Sequence, residues 1–153
     1  AASTGKSAKD VTGAMLERTT LNPEDITRTC NLIVTCTPSK QPLIFANQIK
    51  KGTHITAMGS DTPEKQELDS EILKNADRVI TDSIVQSETR GECYQAMKNK
   101  KITKEKLVEL GKMISNKKLQ RASDDEITIV DLTGVAVQDI QISKAVYEGL
   151  LSR

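Results

Sequence analysis

The chain has no tryptophan, one phenylalanine, two tyrosines and one histidine in 153 residues. So few rings exclude the stacking platforms that hold single-stranded nucleic acid. They also leave the core to Ile, Leu, Val, Ala and Met. One histidine cannot supply a zinc site, and the three cysteines, Cys30, Cys36 and Cys93, show no CxxC spacing. Their odd number points to reduced, buried thiols in a cytoplasmic protein rather than to disulfides. An excess of one charge is also missing, with 22 Lys and Arg against 21 Asp and Glu. A basic footprint for nucleic acid or for an anionic membrane is therefore excluded. No apolar run approaches the ~20 residues of a membrane span, and no secretory leader pattern opens the chain. Metal, nucleic acid and membrane are thus not expected as partners.

What is present is an alternation. The length suits one domain, 1–153, with 1–20 weakly patterned and rich in Ser, Thr, Lys and Ala. Asn22-Pro23 is a helix start, with Asn22 as cap and Pro23 at the first helical position. Apolar, β-branched runs at 32–36, 54–58, 78–81 and 127–130 read as buried parallel strands. Helices are expected over 68–76, 92–98, from a Thr103 cap to about Ile114, and from Val135 to Leu151. Strands alternating with helices predict an α/β fold with a mainly parallel sheet and flanking helices.

In such sheets ligands bind beyond the carboxyl ends of the strands. Three strand exits therefore hold the candidate residues. Thr35-Cys36-Thr37-Pro38-Ser39 offers hydroxyls and amides to a nucleotide, or is an ordinary exit loop. Met58-Gly59-Ser60-Asp61 places a lone carboxylate past a strand end. Asp61 is a turn former or a proton-transfer group. Lys65 pairs with Asp61 or with a phosphate, or is solvated. Asp131-Leu132-Thr133-Gly134 ends the last strand, where the glycine admits a flat ligand or serves helix packing. His54 alternates within an apolar strand, and is a packed, hydrogen-bonded histidine or, less commonly for such a position, a catalytic one. Gly5-Lys6-Ser7 lacks the upstream glycine and strand of a phosphate loop, and no GxGxxG occurs.

At these residues the chain resembles the ornithine cyclodeaminase and mu-crystallin family, which includes archaeal-type alanine dehydrogenases and cyclic imine reductases. The segments that carry the resemblance are 34–40, 52–61, 65–69, Gly91-Glu92, 109–111, 123–128 and 133–139, in family order. The resemblance implies a partial Rossmann-type domain that binds NAD or NADP and lacks the first βαβ part. Thr35, Thr37, Pro38, Ser39, Met58, Gly59, Ser60, Lys65 and Leu132 would bind the cofactor, and Thr133 and Gly134 the substrate. The acid at the position of Asp61 is the proton donor and acceptor in cyclodeaminase-like members. Mu-crystallin-type members carry another residue there. The family's glycine fingerprint, dimerisation domain and substrate-carboxylate clamps lie upstream of the part matched here. Leu132 stands where the family commonly has serine. The implied function is NAD(P)-dependent amino-acid chemistry. It proceeds by hydride transfer through an imine, as in ornithine to proline plus ammonia, alanine dehydrogenation or cyclic imine reduction. The substrate is an amino acid or imine, and the complete enzyme a homodimer. The alternative is a non-catalytic nucleotide-binding or interaction protein that keeps the fold.

Overall fold

A computed structural model describes residues 22–151; the Gly5-Lys6-Ser7 segment lies outside them. Five strands form one sheet: β1 (Leu32–Thr35), β2 (His54–Ala57), β3 (Arg78–Thr81), β4 (Leu107–Glu109) and β5 (Thr128–Asp131). Every pairing is parallel, in the order β1-β2-β5-β3-β4. The expected α/β architecture is therefore present, and the four predicted strands are consecutive neighbours in the sheet. The last strand in sequence is the central one. β5 lies between β2 and β3, in register Ile55–Ile129 on one side and Val79–Ile129 on the other.

The helices are α1 (Pro23–Thr29), α2 (Ser70–Asn75), α3 (Ile84–Ser87), α4 (Gly91–Lys98), α5 (Leu110–Ser115) and α6 (Ala136–Leu151). Asn22 caps α1 by accepting from the Glu24 amide at 3.1 Å, and Asp69 caps α2 by accepting from Glu71 at 3.1 Å. One sheet face, Ile33, Ile55, Ile129 and Val79, is sealed beneath Leu68, Ile72, Leu73, Cys93 and Ala96. β1 and β2 alternate between buried and more exposed residues, whereas β3 and β5 are buried at most positions. Leu32 and Val34 on the opposite face of β1 are exposed, and β1 is one edge of the sheet. α6 also carries Val137, Ile140, Val146, Tyr147 and Leu150 exposed.

The helix expected from Thr103 to Ile114 is not continuous. A single 3₁₀ turn at Lys104–Lys106 leads into β4, and only Leu110–Ser115 is α-helical. Helix propensity there is a weak preference. Pairing Leu107, Val108 and Glu109 with the open edge of β3 satisfies a ladder of backbone groups and buries Leu107. The cysteines differ too. All three are free, but only Cys93 is buried; Cys30 is half-buried and Cys36 exposed. Cys36 points away from the core because it follows Thr35, whose side chain faces inward.

Candidate active site at the carboxyl edge of the sheet

Because the sheet is parallel throughout, all strand exits lie on one edge. Thr37 follows β1, Asp61 follows β2 and Thr133 follows β5, and these three strands are adjacent. The exits of β1 and β2 are tied together by a carboxylate that sequence reasoning passed over. Glu67, fully buried, accepts from the Thr37 amide at 2.6 Å, the Thr35 hydroxyl at 2.7 Å and the Gly59 amide at 2.9 Å. The backbone at 67–68 is held in turn by Glu92 of α4, which accepts from the Glu67 amide at 2.7 Å and the Leu68 amide at 3.1 Å. The amino end of α4 is then capped from β5. Asp131 accepts from the Cys93 amide at 2.8 Å, satisfying one of the free donors of a helix start. Three buried carboxylates thus link β5, α4, the loop before α2, and the exits of β1 and β2. In sequence each is one more charged residue. The only hints were the place of Glu67 and Glu92 within resembling segments and of Asp131 at the end of the last strand.

Burial pushes the Glu92 carboxyl up to about 8, and the nearby Asp131 charge adds to the rise. Burial also pushes Asp131 up to about 6. Both folded values exceed the ordinary ones of 4.5 and 3.8, so the folded state binds more protons than the unfolded chain. Stability then falls as pH rises, from about pH 4 to 6 for Asp131 and from about 4.5 to 8 for Glu92. Each such penalty grows by about 1.4 kcal/mol per pH unit within its window. We expect the unfolding temperature to drop between about pH 5 and about pH 8. Glu92→Gln, which removes the titrating group, should flatten that slope whatever its effect on absolute stability. Thermal unfolding across pH checks this, and an unchanged slope in the variant would contradict it.

The β2 exit is a tight turn. Ser60 is buried and its hydroxyl donates to the Lys65 carbonyl at 2.7 Å. Gln95 of α4 donates to the carbonyls of Pro63 at 2.7 Å and Lys65 at 3.2 Å. At the turn's tip Asp61 is exposed and accepts from Lys65 Nζ at 2.6 Å. That hydrogen bond holds the Asp61 carboxyl below its ordinary value; burial opposes it, and the charges of Lys65 and Arg90 reinforce the drop. A β-carbon on Gly59 would stand about 2.5 Å from both Glu67 Oε1 and the Thr37 nitrogen. Only glycine lets the two exits approach this closely.

The predicted residues divide by what they present. Pro38, Met58, Asp61 and Gly134 are exposed at this edge, with Thr37, Ser39, Lys65 and Leu132 half-buried. Thr35, Gly59, Ser60 and Thr133 are buried. The Thr35 and Ser60 hydroxyls point inward, to Glu67 and the Lys65 carbonyl, so their backbone is what remains for a ligand. Thr37 Oγ1 accepts from the Ser39 amide at 3.3 Å, and the Ser39 hydroxyl donates to the Gln41 carbonyl at 2.7 Å. The Thr133 hydroxyl donates to Asp82 Oδ1 at 3.1 Å, with Gln86 Oε1 3.2 Å away, and the Gly134 amide donates to Asp82 Oδ2 at 2.8 Å. Asp82, at the β3 exit, thus sets the β5 exit. Gly134 has φ +82° with open space where a β-carbon would stand. Arg90 donates to Gln86, while its own Nε is buried without a partner among the described residues. His54 is half-buried between Thr128 Oγ1 at 2.7 Å and Thr56 Oγ1 at 3.1 Å, and burial lowers its pKa. It is the packed, hydrogen-bonded histidine its alternation predicted.

A family model, ornithine cyclodeaminase/mu-crystallin family, matches residues 3–153. The chain belongs to that family. Alanine dehydrogenase from Archaeoglobus fulgidus is 42% identical over 134 residues, which is 87% of this chain and 41% of that protein. Among solved structures of the family, an archaeal alanine dehydrogenase dimer with bound NAD superposes with a TM-score of 0.82 at 40% identity. The match covers 97% of this chain and 48% of that one. The iminosuccinate reductase of Paracoccus denitrificans in complex with NAD⁺ gives 0.80 at 33% identity, covering 94% and 45%. The chain therefore spans less than half the length of these relatives. No helix among the described residues is long and apolar enough to cross a membrane.

Proposed function

We propose that this chain is part of a Rossmann-type domain in an NAD-dependent enzyme that interconverts an amino acid and its imine. The observation that carries the reading is the alignment of three exits on one edge, with Asp61 exposed at the tip of one and glycine opening the backbone at another. That edge fits a nicotinamide dinucleotide. The half-buried Thr37 and Leu132 and the exposed Pro38 and Met58 offer a hydroxyl and apolar surface, and the space over Gly134 is open to a flat ring. The solved relatives named above hold NAD or NAD⁺, which supports NAD over NADP. When bound, the cofactor takes or gives a hydride at the substrate's α-carbon.

The protein's part is orientation and proton handling. Thr37–Ser39, Met58–Ser60, Lys65 and Leu132 would hold the cofactor; Thr133 and Gly134, fixed by Asp82, would face the substrate. Asp61 would take a proton from the substrate nitrogen as the imine forms and return it in the reverse direction. The archaeal relative is a dimer, and we propose a homodimer here as well.

Lys65 tunes this acid. Its hydrogen bond keeps Asp61 ionised to lower pH than an ordinary carboxyl. A base with a depressed pKa keeps its active form into acid solution. Lys65→Met should therefore move the acid limb of the kcat/KM profile of the full-length protein to higher pH. An unmoved limb would remove Asp61 from the proton path. The reading as a whole is tested by assaying that protein for NADH oxidation with cyclic imines, and with 2-oxo acids plus ammonia. Turnover supports it; inactivity on every imine and amino acid tried would sink it.

A further inference from the structure

We propose that Glu67 is a positioning residue of this site, a buried clamp that fixes the spacing of the β1 and β2 exits against the cofactor. The inference rests on the dinucleotide reading above. Glu67 contacts no exposed surface and lies behind both loops. Its two oxygens are divided between them: Oε1 takes the Thr37 amide, and Oε2 takes the Gly59 amide and the Thr35 hydroxyl. No cation among the described residues bonds it, so its hydrogen-bond partners are the exits themselves. A carboxylate is suited to this, because it only accepts, and all three partners donate. An amide would turn an NH₂ group toward one of the donors and push that loop away.

The clamp is itself held from behind. Its peptide nitrogen and that of Leu68 are fixed by Glu92, and its carbonyl accepts from the Leu43 amide at 2.7 Å and the Ile44 amide at 3.3 Å. Main chain on both sides of Glu67 is therefore fixed before the side chain reaches out. The missing β-carbon of Gly59 completes the arrangement, since it lets the β2 exit come within reach of the same oxygens as Thr37. Rim residues Thr37 to Ser39 and Met58 to Asp61 take their separation from this carboxylate together with the Met58 amide, which donates to the Thr35 carbonyl at 2.9 Å.

The test uses the full-length protein and NADH, with affinity read from the fluorescence of the bound nucleotide. Each variant is measured well below its own unfolding temperature. Glu67→Gln is expected to weaken NADH about tenfold or more, because one loop loses its acceptor. Thr35→Val, nearly isosteric, removes one of the three donors and should weaken it about threefold. Ile72→Val, a core truncation behind α2, serves as the stability control and should leave affinity within about twofold at a comparable loss of unfolding temperature. If Glu67→Gln does not fold, Thr35→Val decides. Unchanged affinity in the folded glutamine variant, or in Thr35→Val when the former does not fold, would overturn the clamp. So would an equal weakening in the Ile72 control. Wild-type protein that binds no nicotinamide dinucleotide would overturn the functional reading itself, and the clamp with it.

Discussion

Asp61→Asn in the full-length protein is expected to cut turnover by about 10²-fold or more while largely sparing cofactor binding. The side chain sits exposed at the tip of the β2 exit, where its carboxylate accepts from Lys65. Asparagine keeps the size and an oxygen for that bond, so the turn formed by Ser60, Lys65 and Gln95 should survive. An exposed ion pair of this kind contributes at most about 1 kcal/mol. What the amide cannot do is exchange a proton at neutral pH. If Asp61 only formed the turn, turnover would stay near normal. Steady-state rates beside an NADH titration separate the two. A variant retaining more than about a tenth of wild-type turnover would leave Asp61 without a proton-transfer role.

Gly91→Ala should destabilise the fold by about 3 kcal/mol or more. Two costs coincide there. Gly91 opens α4 with φ +93°, a conformation that side chains resist. A β-carbon would also stand 2.6 Å from Asp131 Oδ2 and 2.7 Å from Thr133 Cγ2, in a packed interior. Relief would have to come from moving β5 or the start of α4. Moving α4 would displace Glu92 and loosen its hold on the 67–68 backbone. Chemical denaturation measures the loss, and a change under about 1 kcal/mol would show that α4 can shift without cost.

Much of this molecule was legible in the chain. Apolar, β-branched runs identified four strands because a parallel sheet buries them on at least one face. Asn22 announced a helix start through a local hydrogen bond, which needs no tertiary context. Position at strand ends brought Thr37, Asp61 and Thr133 to one edge before any coordinates. β4 was hidden because Leu107 to Glu109 has helix-compatible residues, and only the vacant edge of β3 draws it into the sheet. Glu67, Glu92 and Asp131 were hidden for another reason. A charged residue in sequence reads as solvated. It becomes a buried acceptor only where the fold brings in backbone amides from other segments, 8 to 38 residues away in these cases. Asp82 escaped notice likewise, since its partner Thr133 is 51 residues further along.

The most direct test of the account is a crystal structure of the full-length protein with NADH. The account predicts the nicotinamide at the carboxyl edge of the sheet, against Thr37–Ser39, Met58–Asp61 and Leu132–Gly134, with Asp61 facing the substrate side of the ring. A nucleotide bound at the opposite edge, or with its nicotinamide remote from Asp61, would contradict it.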